Sequence, residues 1–271
     1  MKYASGAVPE PSSGLLIAVA EVLSNCFSLF VVLMSKIIVV PTYNERENVE
    51  ALVPRLFRQI PDAAVLIVDD NSPDGTAAAV ELLRERFPNL RLLKRRGKEG
   101  LGKAYIHAFT EVLKDPDVGI VAMMDADLSH DPAYLPAMFE KIEQGIADIV
   151  IGSRYIAGGG TEGWELWRRM LSAGGNKYCR FITGMPLSDC TGGFNVMRAS
   201  ALRKLRLEEI NLSGYAFIME LKYAFFKTGA VFAELPIVFQ NRKQGESKIS
   251  NHIIREGVIA PWRMRFRAFR I

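Results

Sequence analysis

Gly119-Ile120-Val121-Ala122-Met123-Met124-Asp125-Ala126-Asp127 is an apolar run that ends abruptly in two carboxylates. A short apolar run of this kind reads as a buried strand. Open α/β sheets place ligands outside the carboxyl ends of their strands, so Asp125 and Asp127 fall where chemistry is expected. Two carboxylates flanking one residue can share a divalent cation, and a cation there neutralises a diphosphate leaving group. Hard oxygen ligands favour Mg²⁺ or Mn²⁺ over zinc. A D-x-D pair alone reads more readily as a solvated turn, but here a second acidic strand end, Asp69-Asp70, lies two strands earlier.

Upstream, residues 36–40 read as a strand stopped by Pro41, residues 49–60 as a helix and residues 65–68 as a second strand. That strand runs into the turn-rich Asp69-Asp70-Asn71-Ser72-Pro73-Asp74-Gly75, followed by a helix over 76–87 and a strand near 90–93. The alternation predicts a mostly parallel, doubly wound α/β sheet. A glycine-bearing loop at 97–102 precedes a helix over 103–113. Past the paired acids come a helix over 133–144 and a strand over 147–151 that enters Gly152-Ser153-Arg154-Tyr155. Gly158-Gly159-Gly160 reads as a flexible loop, 166–182 as a helix, Asp189-Cys190-Thr191-Gly192-Gly193 as a turn, and 194–197 and 230–240 as strands. A polar loop follows at 241–250. Without internal repeat or linker, residues 35–251 are expected to make one catalytic domain.

The 271 residues are 49% hydrophobic and 24% charged, which gives ample material for a core. A net charge of +4, with Lys and Arg dispersed except near Lys94 to Lys98, Arg168 and Arg169, and the C-terminus, favours anionic small ligands or lipid headgroups over a nucleic-acid track. Cys26, Cys179 and Cys190 fit neither a disulfide framework nor a zinc site. Residues 1–34 include an apolar stretch interrupted by Glu21, Ser24, Asn25 and Ser28. It reads as a membrane anchor, a peripheral helix or sequence upstream of the true start, and Met34-Ser35-Lys36 before the first strand favours the last. Residues 252–271 mix Trp262, Met264, Phe266 and Phe269 with Arg263, Arg265, Arg267 and Arg270. This suits either an anionic membrane interface or a terminal helix packed on the body.

Four motifs in order resemble the dolichol-phosphate (polyprenyl-phosphate) mannose synthase family of inverting family 2 glycosyltransferases. They are Pro41-Thr42-Tyr43-Asn44-Glu45-Arg46-Glu47-Asn48, Val68-Asp69-Asp70-Asn71-Ser72-Pro73-Asp74-Gly75-Thr76, Gly100-Leu101-Gly102-Lys103-Ala104-Tyr105 and Met124-Asp125-Ala126-Asp127-Leu128-Ser129-His130. The likeness continues through Arg154, Arg168, Ser172 and Asp189-x-Thr191-x-Gly193-Phe194 to Gly245-Glu246-Ser247-Lys248, covering about residues 36–256.

The resemblance implies a glycosyltransferase A-type fold, a GDP-mannose donor and a dolichyl or polyprenyl phosphate acceptor. Pro41, Tyr43, Glu45 and Asp70 would hold the nucleoside, with Val68, Asp69, Gly102 and Ala126 beside it. Asp125 and Asp127 would bind the metal. Ser129, where many relatives carry Gln, would be a shorter, neutral ligand. Arg154, Arg168 and Ser172 would take the acceptor phosphate, and Arg242 and Lys248 would close over the diphosphate as a lid that Gly245 lets move. Asp189 and Glu220 read as sugar-orienting carboxylates or as structural acceptors; His107 and His130 read as structural.

A phosphate monoester is largely anionic at neutral pH, so no strong general base is required and a single inverting displacement is expected. The implied setting is the cytoplasmic face of a membrane, with a small membrane-anchoring subunit as an optional partner. Competing readings are a polyprenyl-phosphate glucosyltransferase using UDP-glucose, a processive polysaccharide synthase, a non-catalytic nucleotide-sugar-binding subunit and a dinucleotide-binding oxidoreductase. The synthase lacks its Gln-x-x-Arg-Trp element here, and the oxidoreductase lacks its glycine-rich phosphate loop.

Overall fold

The computed structural model describes residues 34–210, 212, 214–241 and 251–267, without the side chains of 215 and 251–254. The described residues from Ser35 onward form one compact unit. Strand β1 (Ser35–Thr42) is flanked by β2 (Ala64–Asp69) and β4 (Val118–Met123), with β3 (Leu90–Lys94) beyond β2. All of these pairs are parallel. Helices α1 (Arg46–Gln59), α2 (Thr76–Arg86) and α3 (Leu101–Val112) make the crossovers that parallel pairing requires. The central strands are buried, from Ile37 to Val40, Val65 to Val68 and Ile120 to Met123, because helices cover both of their faces.

Helix α4 (Leu135–Glu143) follows a 3₁₀ turn at Pro132–Tyr134, and β5 (Ile149–Ser153) extends the sheet. The order is β3-β2-β1-β4-β7-β5-β8, with β7 (Asn195–Arg198) antiparallel to both β4 and β5. The sheet is therefore mostly parallel with one reversed strand. Helix α5 (Leu166–Thr183) crosses between β5 and β7, and the one-turn α6 (Ala199–Leu202) follows β7.

Three features depart from the sequence reading. The strand expected over 230–240 is two strands, β8 (Phe232–Pro236) in the main sheet and β9 (Val238–Phe239) in a separate pair, with Ile237 turning inward between them. The partner of β9 is β6 (Gly160–Thr161), so the triple-glycine run is hydrogen-bonded structure and no free loop. A Cβ on Gly159 would meet the Ser153 carbonyl at 2.5 Å, and that close approach explains the glycine. Helix α7 (Gly214–Lys227) has no counterpart among the expected elements. It carries ten successive buried residues, from Ala216 to Phe225, and so has no polar face to set a helical period.

The basic-aromatic C-terminal segment forms α8 (Asn251–Phe266), which packs on α5 and α7 through the buried Ala260 and Met264. Residues 1–33, Cys26 among them, lie outside the described residues, as do Arg242, Gly245, Lys248, Phe269 and Arg270. No helix among the described residues is long and apolar enough to cross a membrane. Cys179 and Cys190 are free and buried.

Candidate active site

The carboxyl ends of β1, β2 and β4 lie side by side, and each loop leaving them contains a non-glycine residue with left-handed backbone: Asn44 (φ 59°), Asn71 (φ 58°) and Leu128 (φ 62°). No other non-glycine residue among those described has positive φ. Such conformations are costly for side-chain-bearing residues, least so for Asn, and collect where a loop must aim its neighbours. Leu128 belongs to the turn after the paired acids. Within that turn the Ser129 amide donates to Asp127 Oδ1 at 3.1 Å, and the Ser129 hydroxyl donates to the same oxygen. Ser129 is fully buried and Asp127 is 7% exposed. The hydroxyl expected to ligate a metal is thus turned onto Asp127, where it orients the carboxylate.

His130 accepts a hydrogen bond from the Asp125 amide through Nδ1 at 3.1 Å and stacks on Phe194 with ring centroids 4.9 Å apart. Burial pushes its pKa down against the pull of Asp125 and Asp127, so the ring is neutral and shapes the Asp125 backbone. Tyr105 closes the floor by donating its hydroxyl to the Met124 carbonyl at 3.1 Å. Burial, then Asp125 and Asp127, raise that phenol well above its ordinary range, which keeps it a donor.

On the β1–β2 side the two loops brace one another. Amides of Asn44, Glu45 and Arg46 donate to Ser72 Oγ (3.0 Å), Thr76 Oγ1 (3.1 Å) and Asp74 Oδ2 (3.1 Å), satisfying groups at the start of α1 from a neighbouring loop. Asp69 is buried and accepts from the Ser72 amide at 3.0 Å and from its hydroxyl. Asp70 is ion-paired with buried Arg95, whose other arm reaches Glu99 at 2.7 Å. Lys98 lies 4.1 Å above the ring of Tyr43, itself 36% exposed. The basic cluster 94–98 is read in the sequence only as charge; its contacts with Asp70 and Tyr43 are visible only in the fold. Val68 is wholly inside and Ala126 nearly so, Pro41 pairs with Val68 across β1–β2, and Glu45 Oε2 accepts from Asn48 at 2.6 Å. Gly102 packs where a Cβ would meet the Leu212 carbonyl at 2.9 Å and the Phe217 ring at 3.0 Å.

The opposite wall is built around Arg154, just past β5. Its Nε and Nη2 donate to Asp189 Oδ2 and Oδ1 at 2.7 and 2.8 Å, and Nη2 also reaches Thr191 Oγ1 at 2.9 Å. Burial disfavours the Asp189 charge, but the Arg154 guanidinium outweighs it and holds the carboxyl well below its ordinary value. The fork expected to grip a phosphate therefore grips Asp189, while Tyr155, Trp164 and Phe239 surround the guanidinium at 5.3 to 5.7 Å.

Next to it Arg168, on α5, stacks 4.1 Å over the Trp164 ring. Arg168 Nε and Trp164 Nε1 are both buried donors without a hydrogen-bond partner. Ser172 Oγ accepts from the Tyr155 hydroxyl at 2.6 Å. Phe239 edges against both Trp164 and His130, at 5.4 Å each, and so links this wall to the paired acids. Gly193 completes the link, since a Cβ there would lie 3.8 Å from Asp125 Oδ1. Trp164 and Arg95 have no assigned role in the sequence reading, and Thr191 enters it only as a motif residue.

Two expected residues stand elsewhere. Glu220 is buried on α7, where it accepts from Arg267 at 2.7 Å and from the Leu212 amide at 2.9 Å, tying α7 to the chain after α8. His107 sits half-exposed on α3, 4.0 Å from Glu111.

A mostly parallel sheet with acidic strand ends of this kind is the architecture of nucleotide-sugar transferases. Glucosyl-3-phosphoglycerate synthase from Mycobacterium tuberculosis, in complex with phosphoglyceric acid, superposes with a TM-score of 0.63 at 15% identity, over 86% of this chain and 80% of that one. The same synthase with Mn²⁺, uridine diphosphate and glucosyl-3-phosphoglycerate gives 0.60 at 18%, with the same coverage. The model of glycosyl transferase family 2 matches residues 37–206, and the chain belongs to that family as a glycosyltransferase. Two bacterial relatives cover nearly all of it. Polyprenol monophosphomannose synthase of Mycolicibacterium smegmatis is 38% identical over 85% of this chain and 88% of its own. Undecaprenyl-phosphate mannosyltransferase of Micrococcus luteus is 38% identical over 83% and 92%.

Proposed function

We propose that this enzyme transfers mannose from GDP-mannose to a polyprenyl phosphate, dolichyl-type lipids included, with inversion at the anomeric carbon. The observation that carries the reading is one juxtaposition: a Cβ on Gly193, beside the turn that bonds Arg154, would lie only 3.8 Å from Asp125 Oδ1, so an acidic and a cationic wall face one cleft. The names of the two mannosyltransferase relatives support the sugar and the lipid class.

Asp125 and Asp127 fit Mg²⁺ or Mn²⁺. They are hard oxygen donors at a strand end, and the described residues contain no group of three or more His, Cys, Asp or Glu suited to a metal. Remaining ligands would come from the diphosphate of the donor and from water, the usual arrangement for Mg²⁺. When bound, the ion supplies Lewis-acid stabilisation of the departing diphosphate. Ser129 and His130 hold the two acids for it through the Asp127 carboxylate and the Asp125 amide.

Tyr43, Glu45, Asp69 and Asp70 take the nucleoside, with Arg95 and Lys98 fixing two of them. Arg168 Nε and Trp164 Nε1 offer the donors that an acceptor phosphate lacks, with Ser172 beside them and the Arg154 charge behind them. The phosphate arrives as an anion, so the chain needs only to align its oxygen with the anomeric carbon and exclude water. Arg242 and Lys248 are proposed to serve that exclusion from the segment after Asn241.

Exposed apolar side chains on α5 (Leu166, Trp167, Met170, Leu171, Phe181) and α8 (Val258, Trp262, Phe266) lie among exposed Arg169, Lys177, Arg180, Arg263 and Arg265. That combination suits the interface of an anionic membrane, on the cytoplasmic face, where the acceptor lipid resides. A small membrane-anchoring subunit would add to it.

The test incubates the protein with GDP-mannose or UDP-glucose and a short polyprenyl phosphate, with and without Mn²⁺. Lipid-linked mannose should form only with metal. Equal transfer from UDP-glucose would move the assignment to a glucosyltransferase, and metal-independent transfer would remove the role given to the aspartates.

A further inference from the structure

Lys222 lies in the middle of α7 with no exposed surface. A buried ammonium is costly, and a helix that packs on all sides has no structural need of one. Its Nζ donates to the carbonyls of Asp189 (2.9 Å) and Gly192 (2.8 Å), the two ends of the turn that faces the paired acids.

Other groups hold the same few residues. Glu234, on β8, accepts from the amides of Ser188 (2.9 Å) and Asp189 (3.1 Å). Asn176, on α5, accepts from those of Cys190 (2.7 Å) and Thr191 (3.2 Å). Asp189 itself accepts from the Gly192 amide (2.8 Å) and from Arg154. Asn195, on β7, donates to the Gly192 carbonyl at 3.2 Å. Side chains from four elements therefore fix the turn, and of these only Lys222 holds carbonyl oxygens at both ends.

We propose that Lys222 is a positioning residue for the transfer reaction, its ammonium fixing the Asp189–Gly192 turn and through it the Arg154 guanidinium and the Gly193 backbone against Asp125. The inference rests on the reading of Arg154 as part of the acceptor wall. The groups facing the ammonium are Asp189, Cys190, Arg154 and Glu234, with Cys179 behind them. Burial brings the lysine down to about 8 against the opposing pull of Asp189.

The experiment compares wild type with Lys222→Met, measuring kcat/KM for polyprenyl phosphate at saturating GDP-mannose and the Kd of GDP with Mn²⁺. A loss of about a hundredfold in kcat/KM is expected, the scale on which slight misplacement acts, with GDP affinity unchanged. Leu56→Ala, in the core of α1 and away from the cleft, controls for a general loss of stability. If it lowers kcat/KM as much as Lys222→Met at matched loss in Tm, Lys222 is merely structural and the inference is overturned.

If Lys222→Met does not fold, wild type decides. Its acceptor kcat/KM should fall as pH rises through about 8 while circular dichroism stays constant, and a flat profile to pH 9.5, about 1.5 units past that pKa, overturns the inference. A wild type that transfers nothing to the lipid would sink the parent reading and this inference together. Unchanged kinetics in Lys222→Met beside an active wild type would sink this inference alone.

Discussion

The two walls of the cleft are held in opposite ways. On the nucleotide side three of the acids are set by their own loops: Ser72 bonds Asp69 three residues back, Ser129 bonds Asp127 two residues back, and His130 bonds Asp125 five residues back. On the acceptor side the partners are distant in sequence. Arg154 finds Asp189 35 residues on, Ser188 finds Glu234 46 residues on, and Lys222 returns 33 residues to Asp189. One wall thus rests largely on local turns at strand ends, braced across the β1 and β2 loops and by Arg95. The other is a buried ionic assembly that exists only once β5, α5, α7 and β8 have closed around it. Loss of a group should therefore act on chemistry with little effect on stability on the first wall, and on stability as well as chemistry on the second.

The sharpest test of that contrast is Asp127→Ala. We expect kcat/KM to fall by about a thousandfold or more, the scale on which metal and electrostatic stabilisation of a leaving group acts. The melting temperature should move by only a few degrees, since the bonds Asp127 receives from Ser129 lie within one turn. Transfer assays and thermal melts on the same preparation measure both. A large loss of Tm with proportionate loss of activity would erase the distinction between the walls.

Asp189→Ala should behave in the reverse sense. Removing one partner of a buried pair leaves Arg154 uncompensated, and such losses cost about 3–5 kcal/mol. Urea denaturation would read it as a lower midpoint at unchanged slope. The same carboxylate predicts a pH signature. Its folded pKa lies well below the ordinary 3.8, so its stabilisation is complete above that value and drains away as pH falls below it. Wild type should therefore lose stability steeply below about pH 4, and the Asp189→Ala variant less steeply. Parallel curves for the two proteins would mean that the pair is not a stabilising one.

The difference between the walls also sets what the sequence makes legible. Paired acids after an apolar strand, and Asp69-Asp70 before a Pro-Asp-Gly turn, announce a parallel sheet with a nucleotide-facing edge because both cause and effect lie within a few residues. The βαβ alternation is readable for the same reason. Helix α7 is not, since a segment buried on every side loses the polar stripe that reveals a helix, and its buried charges, Glu220 and Lys222, mark no exposed face. Strand β8 runs apolar straight into β9, and only the inward turn at Ile237 separates the main sheet from the small one. Arg154 and Asp189 are each visible as motif residues, yet their bidentate pairing depends on β5 and the turn before β7 meeting. Ser129 is readable as a hydroxyl near the metal motif, but its rotation onto Asp127 is a matter of three-dimensional packing.

The smallest effect expected is also the finest probe of the local wall. Ser72 donates its hydroxyl to Asp69 and accepts the Asn44 amide at 3.0 Å, joining the β1 and β2 loops at the nucleoside edge. Ser72→Ala removes one hydrogen bond to a charged group, worth about 1.5–3 kcal/mol at most and less where water can replace it. We expect KM for GDP-mannose to rise about five- to tenfold, or about 1–1.4 kcal/mol, just under that range because water can take the place of the hydroxyl, with kcat and acceptor KM unchanged. Should the acceptor KM move instead, strain at Asn44 and Asn71 would be transmitted across the sheet, and the walls would be one coupled unit.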